Sequence, residues 1–246
     1  MKGMLEFLEG LYYTGAASTI LAVSGLIISL WKKHRHPKLL PLIFFFGGYI
    51  LDQLIISLIH GINIESHLRR NIHAYTDSFD TVIEFLALFF VIRNSINSDK
   101  IRKGLSILLP VFISSIIIFF IYYRMIGHQE IDQYFLQTIF TIQAFILCVA
   151  CIFYYKDLFK TEPKLDLTRQ PSFWAVTGLA FFMLCTFPFS IWGLYLVKAN
   201  RELYNQLYSL FNIFYCILFL MIIKAYFCKQ ETSQEIIENS SLSSHL

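Results

Sequence analysis

Seven stretches of the chain are apolar over about 20 residues each, which limits the available folds more than any other feature. A helix needs about 20 apolar residues to cross the roughly 30 Å hydrocarbon core of a membrane. The chain is also 56% hydrophobic and only 15% charged, a composition typical of membrane proteins. We therefore predict an all-α membrane protein, a bundle of seven transmembrane helices. The predicted spans are approximately 11–31, 39–59, 75–93, 104–124, 134–155, 173–197 and 204–226.

The basic residues predict how the bundle is oriented. Of the 20 Lys and Arg residues, 14 lie in the first, third and fifth connections or at the end of the last span. Basic residues are retained on the cytoplasmic side of membrane proteins. We therefore predict that the N-terminus lies outside and the C-terminus in the cytoplasm, in a bacterial inner membrane. Residues 1–228 form one predicted transmembrane domain, and the polar residues 229–246 are a predicted disordered cytoplasmic tail.

The third predicted span carries three acidic residues in an otherwise apolar segment. Asp77, Asp80 and Glu84 are spaced i, i+3 and i+7, so a helix places them on one face. Because a carboxylate facing lipid is costly, that face should look into the protein interior or into a wet cavity. In the predicted orientation the three acids occupy the outer half of the span, and Asp52 occupies the outer half of the second span.

Uncharged polar residues of two further spans lie in the same outer half. Gln137 belongs to the fifth span, and Tyr208 and Asn212 share a stripe of the seventh. We predict that these spans enclose an outward-facing pocket for a small ligand, an ion or a proton. The alternative for the uncharged residues is that they only hydrogen-bond between helices and hold the bundle together. The predicted ligand-binding residues are Asp52, Asp77, Asp80, Glu84, Gln137, Tyr208 and Asn212.

Three histidines near the second connection raise the possibility of a metal site. His60, His67 and His73 lie close in sequence to the acids, and imidazole with carboxylate suits zinc. The spacing is loose, and no H-E-x-x-H motif occurs, so solvated loop histidines are the alternative. Seven-helix membrane hydrolases of the alkaline ceramidase and adiponectin-receptor type have a histidine pair near the last helix, whereas the last span here has none. We expect no cofactor, and zinc remains an alternative.

The fifth connection and the segment after it read YYKDLFKTEPKLDLTRQPSFWAVTGLAFFMLCTFPF, and the last span ends in LFLMIIKAYFCK. These segments resemble small bacterial seven-helix membrane proteins that occur with sensor histidine kinases or form their membrane-embedded sensory part. The resemblance implies a sensory or accessory role in signal transduction, and it implies no particular ligand or functional residue. No kinase motif or nucleotide-binding fingerprint occurs in the sequence, so a signalling role requires a partner.

These features together predict a non-enzymatic membrane sensor or accessory protein that acts through a partner. The expected partners are membrane lipid and a signalling kinase that docks on the cytoplasmic loops, and no nucleic acid is expected. Two alternatives remain. One is a metal-dependent membrane hydrolase. The other is a small-solute or proton-coupled transporter, because acids in a membrane can also relay protons or bind cations.

Overall fold

The computed structural model describes residues 2–62, 66–125, 133–161, 167–199 and 201–228, and within these ranges it forms helices and no strand. Apolar segments in a membrane satisfy their backbone hydrogen bonds within one helix, which explains this regularity. The helices are α1 Lys2–Lys32, α2 Leu42–Gly61, α3 Ser66–Ser95, α4 Asp99–Ser106, α5 Leu108–Met125, α6 Gln133–Thr161, α7 Pro171–Ala199 and α8 Arg201–Phe227. The predicted tail, residues 229–246, lies outside the described residues.

The prediction of an all-helical chain is confirmed for the described residues, and six helical stretches are long and apolar enough to cross a membrane. The third predicted span is not one of these six, although α3 is 30 residues long, because α3 carries charged residues along its length. The six stretches are Thr14–Lys32, Pro37–Ile59, Asp99–Tyr122, Phe135–Lys160, Pro171–Gly193 and Leu210–Phe227. The chain is therefore a multi-pass membrane protein.

Six of the long helices form a closed circle, in which each helix contacts the next. Going around this circle, α1 contacts α2, α2 contacts α3, α3 contacts α6, α6 contacts α7, α7 contacts α8, and α8 returns to α1. The very apolar helix α5 lies outside the circle against α6, and its Phe112 ring stacks on Phe85 of α3 at 3.6 Å between centroids. The half of α3 from Glu84 to Ile92 is mostly buried, whereas Tyr75 and Phe79 in its first half are exposed.

The connections that carry most of the basic residues meet at one end of the bundle, here called the basic end. There the Lys32 ammonium donates a hydrogen bond of 3.0 Å to the Tyr226 carbonyl, and the Tyr226 hydroxyl donates one of 3.0 Å to the Leu39 carbonyl. The Asp157 carboxylate accepts hydrogen bonds from the backbone N–H groups of Asn97 and Ser98. These contacts tie the connection after α1 to the end of α8, and the connection after α3 to α6.

A cluster of aromatic side chains fills the middle of the bundle. Its rings lie 4.6–5.7 Å apart between neighbouring centroids. We call this cluster the aromatic floor, and its members are Phe45, Phe46, Tyr49, Phe182, Tyr215 and Phe219. Gly25 of α1 lets the Phe46 ring approach the helix backbone, because a Cβ atom at this position would overlap the ring.

Candidate functional site

A cavity of about 390 Å³ lies on the aromatic floor, in the half of the bundle away from the basic end. Five helices line it, namely α2, α3, α6, α7 and α8. It has the size of a small-molecule site, since such pockets span about 300–1,000 Å³. Four carboxylates line this cavity, and among the described residues no lysine or arginine does. The cavity is therefore strongly acidic.

The carboxylates come from α2 and α3, and we call them the acidic wall: Asp52, Asp77, Asp80 and Glu84. Two of them are almost withdrawn from solvent, since Asp52 is only 8% exposed and Glu84 only 4% exposed. Asp77 and Asp80 are half-buried. An ionised carboxylate withdrawn from water is costly unless it is paired and hydrogen-bonded, so the acidic wall is an unusual feature of a membrane bundle.

The two most buried residues of the acidic wall, Asp52 and Glu84, each have one carboxyl oxygen without a hydrogen-bond partner among the described residues. Glu84 Oε2 accepts a hydrogen bond of 3.0 Å from the Tyr215 hydroxyl, whereas Glu84 Oε1 has no partner. Asp52 Oδ2 accepts a hydrogen bond of 3.3 Å from the Gln53 amide, whereas Asp52 Oδ1 has no partner. Buried polar atoms in native proteins almost always have partners, so these two oxygens beside one cavity are open to a donor or a cation that enters it.

Gly48 of α2 brings the two helices of the acidic wall together. A Cβ atom at this position would lie 2.8 Å from Asp80 Oδ1 and 3.1 Å from Ile83 Cγ2. The glycine therefore lets the Asp80 carboxylate lie directly against the backbone of α2, one turn from Asp52. Small residues serve the same purpose at other interfaces between membrane helices.

The remaining sides of the cavity are built differently. Phe140 of α6, Phe189 of α7 and Phe211 of α8 line it, and we call them the aromatic wall. The Phe211 centroid lies 6.0 Å from that of Phe140 and 4.8 Å from that of Phe189. Beside them, the Gln137 amide donates a hydrogen bond of 2.8 Å to the Ser190 carbonyl and so links α6 to α7.

The structure brings most of the predicted ligand-binding residues to this cavity. The six that line it are Asp52, Asp77, Asp80, Glu84, Gln137 and Asn212. Tyr208 belongs to α8, but its side chain lies outside the described residues. Their convergence agrees with the predicted pocket, while their role in ligand binding stays a prediction.

Of the three predicted zinc ligands, only the side chain of His73 is described, and it does not line the cavity. His73 is half-buried on α3, and the side chains of His60 and His67 lie outside the described residues. Within the part of the chain that the structure describes, no group of three or more His, Cys, Asp or Glu side chains is placed to hold a metal ion. Zinc binding therefore stays a prediction.

Several lining residues were not among the predicted site residues. They are the floor tyrosines Tyr49 and Tyr215, the three phenylalanines of the aromatic wall, and Gln53, Thr81 and Leu136.

Helical spacing could have found three of these residues. Tyr215 lies three residues after Asn212, Phe140 three residues after Gln137, and Phe211 three residues after Tyr208. Phe189 carries no such signal, because phenylalanine in an apolar span faces lipid as readily as it faces a cavity.

Comparison with known proteins gives no further assignment. The chain matches no protein-family model, no curated protein and no solved structure. Inferences about function therefore start from the chemistry of the acidic cavity.

Proposed function

We propose that this chain is a membrane receptor that binds a small cation in the acidic cavity and passes on its occupancy through a partner protein. The observation that carries the proposal is Glu84, a carboxyl group 4% exposed inside the bundle with one oxygen unpartnered. The predicted orientation in a bacterial inner membrane would open the cavity to the outside.

Neither the ionised form of Glu84 nor the form protonated on Oε1 has all its hydrogen-bond partners among the described residues. If the carboxylate is ionised, Oε1 lacks a donor, and the negative charge lacks a counter-charge from any described basic residue of the cavity. If a proton sits on Oε1, that proton lacks an acceptor among the described residues. A cation or a proton that enters the cavity therefore changes the free energy of this site considerably.

The Glu84 contact joins two helices that reach the basic end. The hydrogen bond from Tyr215 ties α3 to α8. Toward the basic end, Tyr226 of α8 is hydrogen-bonded to Lys32 and to the Leu39 carbonyl. The segment that follows α3 is hydrogen-bonded to the Asp157 carboxylate. A cation that binds Glu84 Oε1 would change the charge that the Tyr215 hydroxyl meets at Oε2, and could so favour a different packing of α3 against α8. Differential affinity for two packings is what a receptor requires.

The output would pass through a partner at the basic end. No kinase motif or nucleotide-binding fingerprint occurs in the sequence, so a phosphorylation step would be carried out by the partner. A signalling kinase is the partner that we propose, since the fifth connection and the last helix resemble membrane parts of sensor kinase systems.

Hydrogen exchange at the basic end tests this proposal. The protein is placed in lipid nanodiscs, and amide exchange of residues 35–41 is followed while pH and cation content are varied. We expect exchange of this segment to respond in the wild-type protein and not in Glu84→Gln, because the variant keeps an acceptor for Tyr215 but loses the charge. Asp99→Asn is the matched control, since Asp99 is an exposed carboxylate outside the cavity.

Two results would decide against the receptor. An unchanged exchange pattern in the wild-type protein under every condition would show that the cavity does not communicate with the basic end. Coupled uptake of a cation or proton into vesicles would instead favour a transporter, because a receptor binds its ligand without net flux.

A further inference from the structure

The acidic cavity has two chemically different sides. The acidic wall comes from the neighbouring helices α2 and α3, and the aromatic wall comes from α6, α7 and α8. In the circle of helices α2 and α3 lie across from α7 and α8. A guest inside the cavity therefore meets carboxylates on one side and the rings of Phe140, Phe189 and Phe211 on the other.

The acidic wall is elongated rather than focused on one point. Asp77 and Glu84 are seven residues apart on α3, which corresponds to about 10 Å along the helix axis. Gly48 of α2 lies against Asp80, and Asp52 follows one turn farther from the aromatic floor. Asp52 is thus near the level of Asp77, and Glu84 lies about two turns deeper. The two unpartnered oxygens, Asp52 Oδ1 and Glu84 Oε1, mark the two ends of this wall.

We infer that the cavity binds a small organic diammonium ion, with one ammonium group at Glu84, the other at Asp52, and the hydrocarbon between them along the aromatic wall. This inference rests on the proposed cation receptor and specifies its ligand class. Each ammonium group would donate to an oxygen that has no described partner, and two positive charges would compensate more of the acidic wall than one.

The chemistry of the cavity favours an organic cation over a metal ion. Metal ions such as Ca²⁺ and Mg²⁺ need several oxygen ligands that converge at about 2.0–2.6 Å. Here the acids are spread over two helical turns, and three aromatic rings take up the rest of the wall. Aromatic faces attract ammonium groups and also pack against methylene groups. A volume of about 390 Å³ accommodates a short alkyl chain as well.

Calorimetric titration with three probes of similar length tests the inference. The full chain in nanodiscs is titrated at constant ionic strength with 1,4-diaminobutane, butylamine and 1,4-butanediol. We expect one diamine per chain, bound at least about tenfold more tightly than butylamine, because each charge-assisted hydrogen bond adds about 1.5–3 kcal/mol, or tenfold and more in affinity. The uncharged diol should not bind.

Two cavity variants and one control variant test which carboxylate binds each ammonium group of the diamine. Asp52→Asn should lower diamine affinity to about that of the monoamine and weaken butylamine binding much less, because the monoamine occupies Glu84. Glu84→Gln should weaken both amines, and Asp99→Asn should change neither. If Glu84→Gln does not fold, the selective loss in Asp52→Asn still tests the two-ended arrangement.

Equal affinity for butylamine and the diamine, or equal losses for both in Asp52→Asn, would overturn the inference. If no amine binds while protons or sodium still change exchange at residues 35–41, the diammonium ligand is wrong and the cation receptor stands. If neither amines nor simple cations have any effect, both proposals are wrong.

Discussion

The Tyr215 hydroxyl donates a hydrogen bond of 3.0 Å to Glu84 Oε2 across the middle of the bundle. The two residues are 131 positions apart in the sequence, and both line the acidic cavity. The Tyr215 ring also belongs to the aromatic floor, where its centroid lies 4.6 Å from that of Phe182. One tyrosine thus connects the deepest carboxyl group of the cavity to the packed core beneath it.

We expect Tyr215→Phe to lower the free energy of unfolding by about 2 kcal/mol, because both oxygens of a buried carboxyl group then lack described partners. Tyr155→Phe is the matched control, since the Tyr155 hydroxyl bonds to the neutral Thr177 hydroxyl in a half-buried position, and its loss should cost about 1 kcal/mol. Unfolding titrations with sodium dodecyl sulfate in lipid bicelles measure both. Equal losses would contradict a special role for the Glu84 contact.

We expect opposite effects from alanine at the neighbouring glycines Gly47 and Gly48. A Cβ atom at Gly48 would lie 2.8 Å from Asp80 Oδ1 and 3.1 Å from Ile83 Cγ2, so Gly48→Ala should displace the Asp80 carboxylate, crowd Ile83 and destabilise the fold by about 1–3 kcal/mol. A Cβ atom at Gly47 meets nothing within 4 Å, so Gly47→Ala should be neutral or stabilise the helix by up to about 1 kcal/mol. The same unfolding titrations compare the variants. Equal behaviour of the two would show that α2 and α3 are not closely packed at Gly48.

The sequence pattern predicts the helices well, because each apolar run must satisfy its own backbone hydrogen bonds. The predicted spans 134–155 and 173–197 lie within α6 and α7, which extend farther than the apolar runs suggest. The predicted span 39–59 begins three residues before α2, which starts at Leu42. The short helix α4 was not predicted. It is amphipathic, with Leu105 buried and Lys103 exposed, and it is too short for an apolar-run criterion.

The acidic half of the cavity could be predicted from the sequence, and the aromatic half only in part. Asp77, Asp80 and Glu84 share a helical face, and a carboxylate in an apolar span is a strong signal because of its cost in lipid. Phe189 faces the cavity only because of how α7 packs. Its position depends on the packing of whole helices, which no local spacing reveals.

At the basic end, we expect Asp157→Ala to loosen the segment between α3 and α4. The Asp157 carboxylate, 4% exposed, accepts hydrogen bonds of 2.7 Å from Asn97 N–H and 3.2 Å from Ser98 N–H. Without this acceptor both amides should exchange faster with solvent by about tenfold or more, since a lost hydrogen bond to a charged group is worth about 1.5–3 kcal/mol. Asp157→Asn keeps one oxygen acceptor and should be milder. Hydrogen exchange of residues 96–100 measures the effect, and unchanged exchange in Asp157→Ala would contradict the anchoring role.

A further prediction concerns His36, which lies between the first two membrane-spanning stretches and is only 5% exposed. Its ring packs edge-on against Tyr226 at 5.9 Å between centroids. Burial lowers the pKa of His36 from its usual 6.5, although a backbone hydrogen bond to Tyr226 opposes this change, and Lys32 and Arg35 lower the pKa further. The folded chain therefore holds His36 neutral at pH values where the unfolded chain already protonates it.

The sign of the pH effect follows from proton uptake in the two states. Well above pH 6.5 His36 is neutral in both states and contributes no pH dependence. Below pH 6.5 the unfolded chain binds a proton that the folded chain does not, so the free energy of unfolding falls until the pH reaches the folded pKa. His36→Gln should remove this part of the pH dependence, and His34→Gln, at an exposed position, should retain it. The difference between wild-type and His36→Gln unfolding titrations from pH 7.5 to about 5 isolates the effect from the cavity acids. A difference that does not change over this range would contradict the burial of a neutral His36 against Tyr226.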